Sequence, residues 1–482
     1  MYLGIDLGTS GVKAVLIDDS QHPVASANAP LTVSRPQPGW SEQAPADWIS
    51  ATEAAIGELH ATAGSQLAAV RGIGLSGQMH GATVLDAGDE PLRPSILWND
   101  TRSHREAAEL DADERFRRIT GNIVFPGFTA PKLRWLERNE PKVFEKIRRV
   151  LLPKDYLRLW LTGEAISEMS DAAGTSWLDT GKRDWSAELL AETHLSKEHM
   201  PALAEGTEMA GRLRAELAER WGMTAGTPVA GGAGDNAASA CAMGTLAEGQ
   251  AFVSLGTSGV LFAANDAYRP LPESAVHTFC HAVPGKWHQM GVILSATDSL
   301  NWLAAIVAKE PAELIASLGE TLSAPGSELF LPYLAGERTP HNDAKVRGVF
   351  HGMAHQTDLS AMAQAVLLGV AFALRDSRDA LAAAGTSLQR VLAVGGGSRS
   401  RLWLKMVATA FGIPVDVPAD GDFGAAFGAA RLGLIAAEKA DPAQICAPPP
   451  VAETVEPEQA LAGAYDEAFT RYRALYSAIR EV

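Results

Sequence analysis

The hexapeptide LGTSGV stands twice in this chain of 482 residues, at Leu7–Val12 and again at Leu255–Val260. Each copy lies between apolar runs: YLGID and KAVLID around the first, AFVS and LFAAN around the second. Two apolar runs joined by a short Gly/Thr/Ser turn predict a β-hairpin. The spacing, about half the chain, is far too long for a solenoid repeat. It constrains the chain to two halves that open alike, with a cleft between them. The copies differ in the residue that precedes them, Asp6 in the first and Ser254 in the second.

The segments after each hairpin fit that constraint. In the first half come a third extended run, PVASANAPLTV, then a helical pattern, PADWISATEAAIGELHATA, then the buried strand LAAVRGIGL. Hairpin, third strand, helix and strand is the order of a ribonuclease-H-like half-domain. In the second half, extended segments around HTFCHAVPGKWHQMGVIL precede the helix SATDSLNWLAAIVA. A long helix comes next, DLSAMAQAVLLGVAFALRDSRDALAAAG, with Asp358 at its N-cap and Gly385 near its end. LQRVLAVGGGSRSRLWLKMVATAFGIPVDV then reads as strand, glycine turn, helix and strand. The length also exceeds one hydrophobic core. The expected class is α/β, with domains over 1–246 and 247–482 and a hinge in Ala240–Gln250. Residues 101–225 read as a helix-rich, Trp-bearing insertion, and the tail as a linker and an amphipathic helix.

Composition narrows the partners. Net charge is −16, which argues against nucleic acid or an anionic membrane. A phosphorylated small molecule stays open, because backbone N–H groups and a divalent cation hold phosphate without a basic surface. The cysteines Cys241, Cys280 and Cys446 form no disulfide framework. MYLGIDLG lacks the basic and apolar regions of a signal peptide, and no run of about eighteen apolar residues suggests a membrane span. The expectation is a reduced, cytoplasmic protein.

The chemistry-bearing residues cluster in a few places. A turn of Gly, Thr and Ser gathers backbone donors and hydroxyls where a phosphate chain can sit. Two such turns across a cleft can grip one polyphosphate from both sides. Asp6, at the end of the first strand, can hold a hydrated Mg²⁺ against those phosphates, or is simply a carboxylate at a hairpin edge. A second carboxylate at Ser254 would repel the same phosphates. Gly395–Gly397, between a strand and a helix, lets a nucleotide approach the backbone. No GxxxxGK[ST] occurs, which excludes a P-loop. Gly72–Gly77 matches GxGxxG, but QMHGATVLD stands where that fingerprint needs a helix. We expect instead a strand end that feeds Gln78, Met79 and His80 into a pocket. Asp235, in VAGGAGDNAASA, is either a helix N-cap or a general base that takes a proton from a hydroxyl. His277, Cys280, His281 and His288 suggest a metal cluster, but on a strand His277 and His281 face away from Cys280. Packing is the expected role for these four. Trp98-Asn99-Asp100 and FLPYLAGERTP (Phe330–Pro340) carry aromatic and amide groups that suit sugar hydroxyls.

These stretches are recognisable together. IDLGTSGVK, WSEQ, GQMHGATVLD, ILWND, PGFTAPKL, VLLPKDYLRL, MSDAAGTSWLD, GGAGDNAA, SLGTSGV, FLPYLAGERTPHN and GGGSRS ahead of FGAARLG resemble the FGGY carbohydrate kinase family over essentially the whole chain. The resemblance implies two ribonuclease-H-like domains of the actin/hexokinase ATPase type that close around a central cleft. It implies ATP and Mg²⁺ as cofactors. SGQMHG and SDAAGT look like the branch of the family that phosphorylates D-xylulose to D-xylulose 5-phosphate, and a homodimer is compatible with it. By position, Asp235 matches the catalytic base, and Asp6 with Asp235 the carboxylates on the Mg²⁺ side. Gln78, Met79, His80, Trp98 and Asn236 match the sugar site, and Thr9, Ser10, Lys13, Gly256 and Thr257 the two phosphate turns. Gly396, Gly397 and Ser398 match the nucleotide side, where Phe423 and Phe427 depart from the smaller residues expected near adenine. Two other readings stay open: a kinase of another ketose or a polyol, such as ribulose or glycerol, and an actin- or chaperone-like ATPase.

Overall fold

The computed structural model describes residues 1–419 and 424–480. The first hairpin is β1 (Tyr2–Leu7) with β2 (Gly11–Ile17), and β3 (Pro23–Pro30) extends it antiparallel. Helix α1 (Pro45–Leu67) follows, then β4 (Gly72–Gly77), which returns parallel to β1. Short strands β5 (Met209–Arg212), β6 (Pro228–Ala230) and β7 (Ala233–Gly234) come only after the long insertion. The sheet order is β5-β6-β4-β1-β2-β3, with β7 also paired to β4. Leu3, Ile5, Leu7, Ile73 and Leu75 are fully buried, and each contributes about 1.5–3 kcal/mol by leaving water.

The second half repeats the plan. Strands β8 (Ala251–Leu255) and β9 (Gly259–Asn265) form the second hairpin, and β10 (His277–Cys280) and β11 (Trp287–Ile293) extend it antiparallel. The main helices that follow are α3 (Thr297–Ile306) and α4 (Leu359–Ala383), where α2 is the earlier Asp235–Met243. Strand β12 (Val391–Val394), helix α5 (Arg401–Phe411), strand β13 (Val415–Pro418), helix α6 (Ala425–Glu438), strand β14 (Val451–Val455) and helix α7 (Ala462–Ile479) complete it. The order β10-β11-β9-β8-β12-β13-β14 sets Ser254 in β8 where β1 carries Asp6. Helix α4 is long and apolar enough to cross a membrane, but the fold buries it as a core helix. Asp358 caps it, accepting the Ala361 N–H at 2.8 Å.

The two halves are tied by helices. Helix α6, late in the chain, lies across the first sheet and crosses α2. A Cβ at Gly74 would run into the Ala429 carbonyl, one at Gly4 into Ala426, and one at Gly428 of α6 into the Ala238 carbonyl of α2. Gly72 and Gly74 of the GxGxxG match therefore admit a helix backbone rather than a dinucleotide. The expected hinge is partly helix: Ala240–Met243 close α2, and Gly244 turns the chain at φ +66° against Ala447 and Pro448.

Candidate active site

The β4 ladder brings the catalytic candidates together. β7 pairs parallel to Ser76 and Gly77, and α2 opens immediately after it with Asp235. The N-cap of α2 is Gly234, without a side-chain cap bond, so Asp235 is not the cap. Its Oδ1 instead accepts the Asn236 N–H at 2.7 Å and the Asn236 Nδ2 at 2.9 Å. That leaves Oδ2 for the cleft. Burial and the nearby charge of Asp6 push the Asp235 carboxyl up to about 7, against the pull of Asn236. A carboxylate poised near neutral pH is matched to general-base work.

Asp6 sits on β1 between Lys13 on one side and Ser76 on the other. Burial raises its pKa, and the Ser76 hydroxyl and Lys13 draw it back. Its Oδ1 has no hydrogen-bond partner. An orphaned carboxylate oxygen whose charge reaches a second carboxylate fits a cation. Among the described residues no group of three or more His, Cys, Asp or Glu side chains could hold a metal. Asp6, with the charge of Asp235 close by, is a sparse acidic set that suits Mg²⁺, an ion that keeps waters and takes phosphate oxygens.

Beside Asp235 lies a cavity of about 300 Å³. Met79, His80, Trp98 and Asn236 line it, as do Ser258, His277, Phe279, Met290 and Arg338. His80 has φ +68°, which swings its ring inward, where it stacks on Phe128 at 4.5 Å. Its Nδ1 lies 2.7 Å from the Gly174 carbonyl, and burial takes its pKa down to about 3. The ring is therefore neutral, with the proton on Nδ1 and an acceptor lone pair on Nε2. Gly174 of the SDAAGT stretch leaves room for that ring, since a Cβ there would strike it. Trp98 is 45% exposed and spans the site, donating Nε1–H to Thr9 Oγ1 at 2.9 Å.

Gln78 departs from expectation. Its N–H donates to the Leu7 carbonyl at 2.8 Å, and its side chain is not among those that line the cavity. There it accepts from Thr9 Oγ1 at 3.0 Å and donates to Gln43 Oε1 at 3.0 Å. Gln78 braces the first turn instead of lining the sugar-sized cavity. Thr9 is consumed by the same bonds.

The first turn opens on a second cavity, lined by Asp6, Gly8, Ser10, Lys13 and Asn28 among others. In the second turn, the carbonyls of Gly256 and Thr257 accept the Thr297 and Ala296 N–H groups at 2.9 and 2.8 Å, and Thr257 stays exposed. Gly396 and Gly397 line a third pocket with Thr297, Asn301, Ile315, Ser400 and Trp403. Ser398 is not part of that lining; its hydroxyl turns back to the Gly395 carbonyl at 2.7 Å. Phe427 lies elsewhere too, buried in α6 under the Arg431 guanidinium at 4.7 Å. Phe423 falls outside the described residues.

Three features escaped the sequence reading. His277 faces the cavity rather than merely packing, while His281 bonds the Thr245 carbonyl and His288 stacks on Phe262 at 4.5 Å. Arg338 enters the cavity from the stretch singled out at Phe330–Pro340. Beneath Asp235, the Gly234 N–H donates to Ser170 Oγ at 3.1 Å, and Ser170 Oγ to Glu168 Oε1 at 2.9 Å. Buried Lys154 pairs there with Asp155 at 2.6 Å and Asp171 at 3.4 Å. MSDAAGT signals this layer, but not that its charges are buried.

Two duplicated turns, a raised carboxylate between them and separate sugar- and nucleotide-sized pockets fit a phosphoryl transferase with a polyhydroxyl acceptor. The comparisons agree. Residues 1–242 match the N-terminal domain model of the FGGY family of carbohydrate kinases, and residues 251–437 the C-terminal one. The chain is 51% identical to xylulose kinase of Escherichia coli over 91% of its own length and 90% of the relative's. It is 48% identical to xylulose kinase of Klebsiella pneumoniae over 100% of the chain and 99% of the relative. The crystal structure of a xyloylose kinase from Brucella ovis superposes with a TM-score of 0.98 at 68% identity, covering 100% of this chain and 99% of that one. With both halves matched, the chain belongs to the FGGY family of carbohydrate kinases.

Proposed function

We propose that the protein transfers the γ-phosphoryl group of ATP to the 5-hydroxyl of D-xylulose, giving D-xylulose 5-phosphate. The observation that carries this reading is Asp235, a carboxylate lifted to about 7 at the mouth of a cavity sized for a small sugar. The names of the relatives supply the sugar. Asp235 Oδ2 accepts the proton of the attacking hydroxyl, while Asn236 holds Oδ1 so that the free oxygen points to substrate. Neutral His80 and Asn236 orient the other hydroxyls. The turns at Leu7–Val12 and Leu255–Val260 meet the phosphates with backbone donors and the hydroxyls of Ser10 and Thr257. Asp6 and Asp235 would hold Mg²⁺ on their side of the cleft, where it would supply charge neutralisation for the transferring group. Gly396 and Gly397 floor the nucleotide pocket. Closure of the halves excludes water, the competing acceptor.

The test is ADP formation with and without added sugar. The proposal expects slow hydrolysis that D-xylulose accelerates on the order of a hundredfold or more. Hydrolysis that no sugar stimulates would overturn it in favour of an actin-like ATPase.

A further inference from the structure

A guanidinium in the cleft cavity has no place in the proton and phosphate chemistry. Arg338 belongs to a loop that is stapled to the second sheet. Glu337 Oε1 accepts the Leu294 N–H at 3.0 Å and the Arg338 N–H at 2.8 Å. Thr339 donates its N–H to the Val292 carbonyl at 3.0 Å, and its hydroxyl bridges the Val292 N–H and the Ala275 carbonyl, each at 3.0 Å. The arginine is therefore set in place before any sugar arrives.

Its surroundings are aromatic. The guanidinium carbon lies 4.6 Å over the Phe125 ring, and Nη1 is 3.4 Å from His277 Nε2. His277 packs on Phe125 at 5.2 Å, and His80 stacks on Phe128. The charge of Arg338 acts on His80 and His277 and helps keep both neutral, while the charge that acts on Asp235 is that of Asp6. Asp235 and Arg338 line this same cavity, one a carboxylate, the other a guanidinium set among the aromatic rings. A sugar that offers its terminal hydroxyl to Asp235 extends its other end toward Arg338.

Guanidinium donates hydrogen bonds and accepts none. A ketone oxygen, acceptor only and flanked by planar lone pairs, matches a planar donor fork. A secondary alcohol at the same carbon brings an O–H that the arginine cannot receive, and a buried unpaired donor is costly. We infer that Arg338 reads the carbonyl end of the sugar and sets the preference for a ketose over the polyols made by reducing its C2. This rests on the proposed reaction and goes beyond it by assigning the specificity to one residue.

The test compares D-xylulose with xylitol and D-arabitol, its two C2-reduced pentitols, in wild type, Arg338→Leu and Arg338→Lys. Kinetics give kcat and KM for D-xylulose, and competition gives inhibition constants for the pentitols. In Arg338→Leu the KM for D-xylulose should rise on the order of 10–100-fold. Its kcat should change by less than about threefold, and the pentitol constants by a similar small factor, so the preference collapses. Arg338→Lys keeps the charge without the fork and should fall between; it carries the test if Arg338→Leu melts early. A retained preference in both variants overturns the inference, as does a loss confined to kcat, which would place Arg338 at the phosphoryl end. A wild type with no preference for D-xylulose over either pentitol overturns the substrate reading itself, and the inference with it.

Discussion

Replacing Asp235 with asparagine keeps the shape of the side chain and removes the base. The wild-type carboxyl titrates near 7 because it is buried and faces Asp6. Above that pH it is mainly ionised and ready to accept the hydroxyl proton of a primary alcohol, a very weak acid. Loss of a positioned general base slows turnover by about 10²–10⁴-fold, equivalent to about 3–5 kcal/mol of barrier. Sugar affinity should change far less, because His80, Trp98 and Asn236 keep their places. The sign of the stability effect is opposite. The folded-state pKa lies above the unfolded value, so the carboxylate costs stability as pH rises between them, and a neutral amide removes that cost. Asp235→Asn should therefore melt no lower than wild type at pH 8 while losing turnover. The assay is a coupled measurement of ADP release from pH 5.5 to 9. Wild-type kcat/KM should fall about tenfold per pH unit on the acid side, and the variant should lack that limb. Turnover within tenfold of wild type, or an unchanged acid limb, would refute the assignment of Asp235 as base.

Asp6→Asn removes the carboxylate with the orphaned oxygen, so the Mg²⁺ concentration for half-maximal rate should rise about 10–100-fold in a magnesium titration; an unchanged midpoint would place the metal elsewhere. Gly74→Ala puts a methyl against the Ala429 carbonyl and should cost about 1–3 kcal/mol in denaturant unfolding, whereas a neutral result would mean that α6 does not press on β4. Burial lifts the Glu337 carboxyl to about 8 from 4.5, so folding favours its protonated form and wild-type stability should decline as pH rises across that window. Glu337→Gln should flatten that decline in melting curves taken from pH 5 to 8, and parallel curves would contradict the burial argument.

The doubled hairpin was legible because its cues are local: small-residue turns between apolar runs, identical in both halves. Both hairpins, α1, α4 with its Asp358 cap, and α5 after its glycine turn form where the pattern sets them. Meeting points between distant segments were less legible. Nothing in the sequence around Gly72 and Gly74 says that these two glycines face Ala429 and Gly433, because the fit depends on a helix some 350 residues later. Gln78 and Met79 are neighbours in one motif, yet the chain bends just after β4, and the first reaches Thr9 while the second lines the cavity with His80. Ser398 shows the same limit at shorter range, since its hydroxyl closes its own turn instead of facing a ligand. His277 and Arg338 reach the cavity from a strand and a loop that are far apart in sequence, and only their register places them side by side.

The central claim is that this cleft phosphorylates the terminal hydroxyl of a particular ketose. The most direct measurement is kcat/KM with ATP over a panel of D-xylulose, D-ribulose, L-ribulose, glycerol, xylitol and D-arabitol, with the site of phosphorylation read by ³¹P–¹H correlation. The account predicts the highest value for D-xylulose, by at least about tenfold, and phosphorus on O5. A higher value for any other member, or phosphate on a different oxygen, would contradict it.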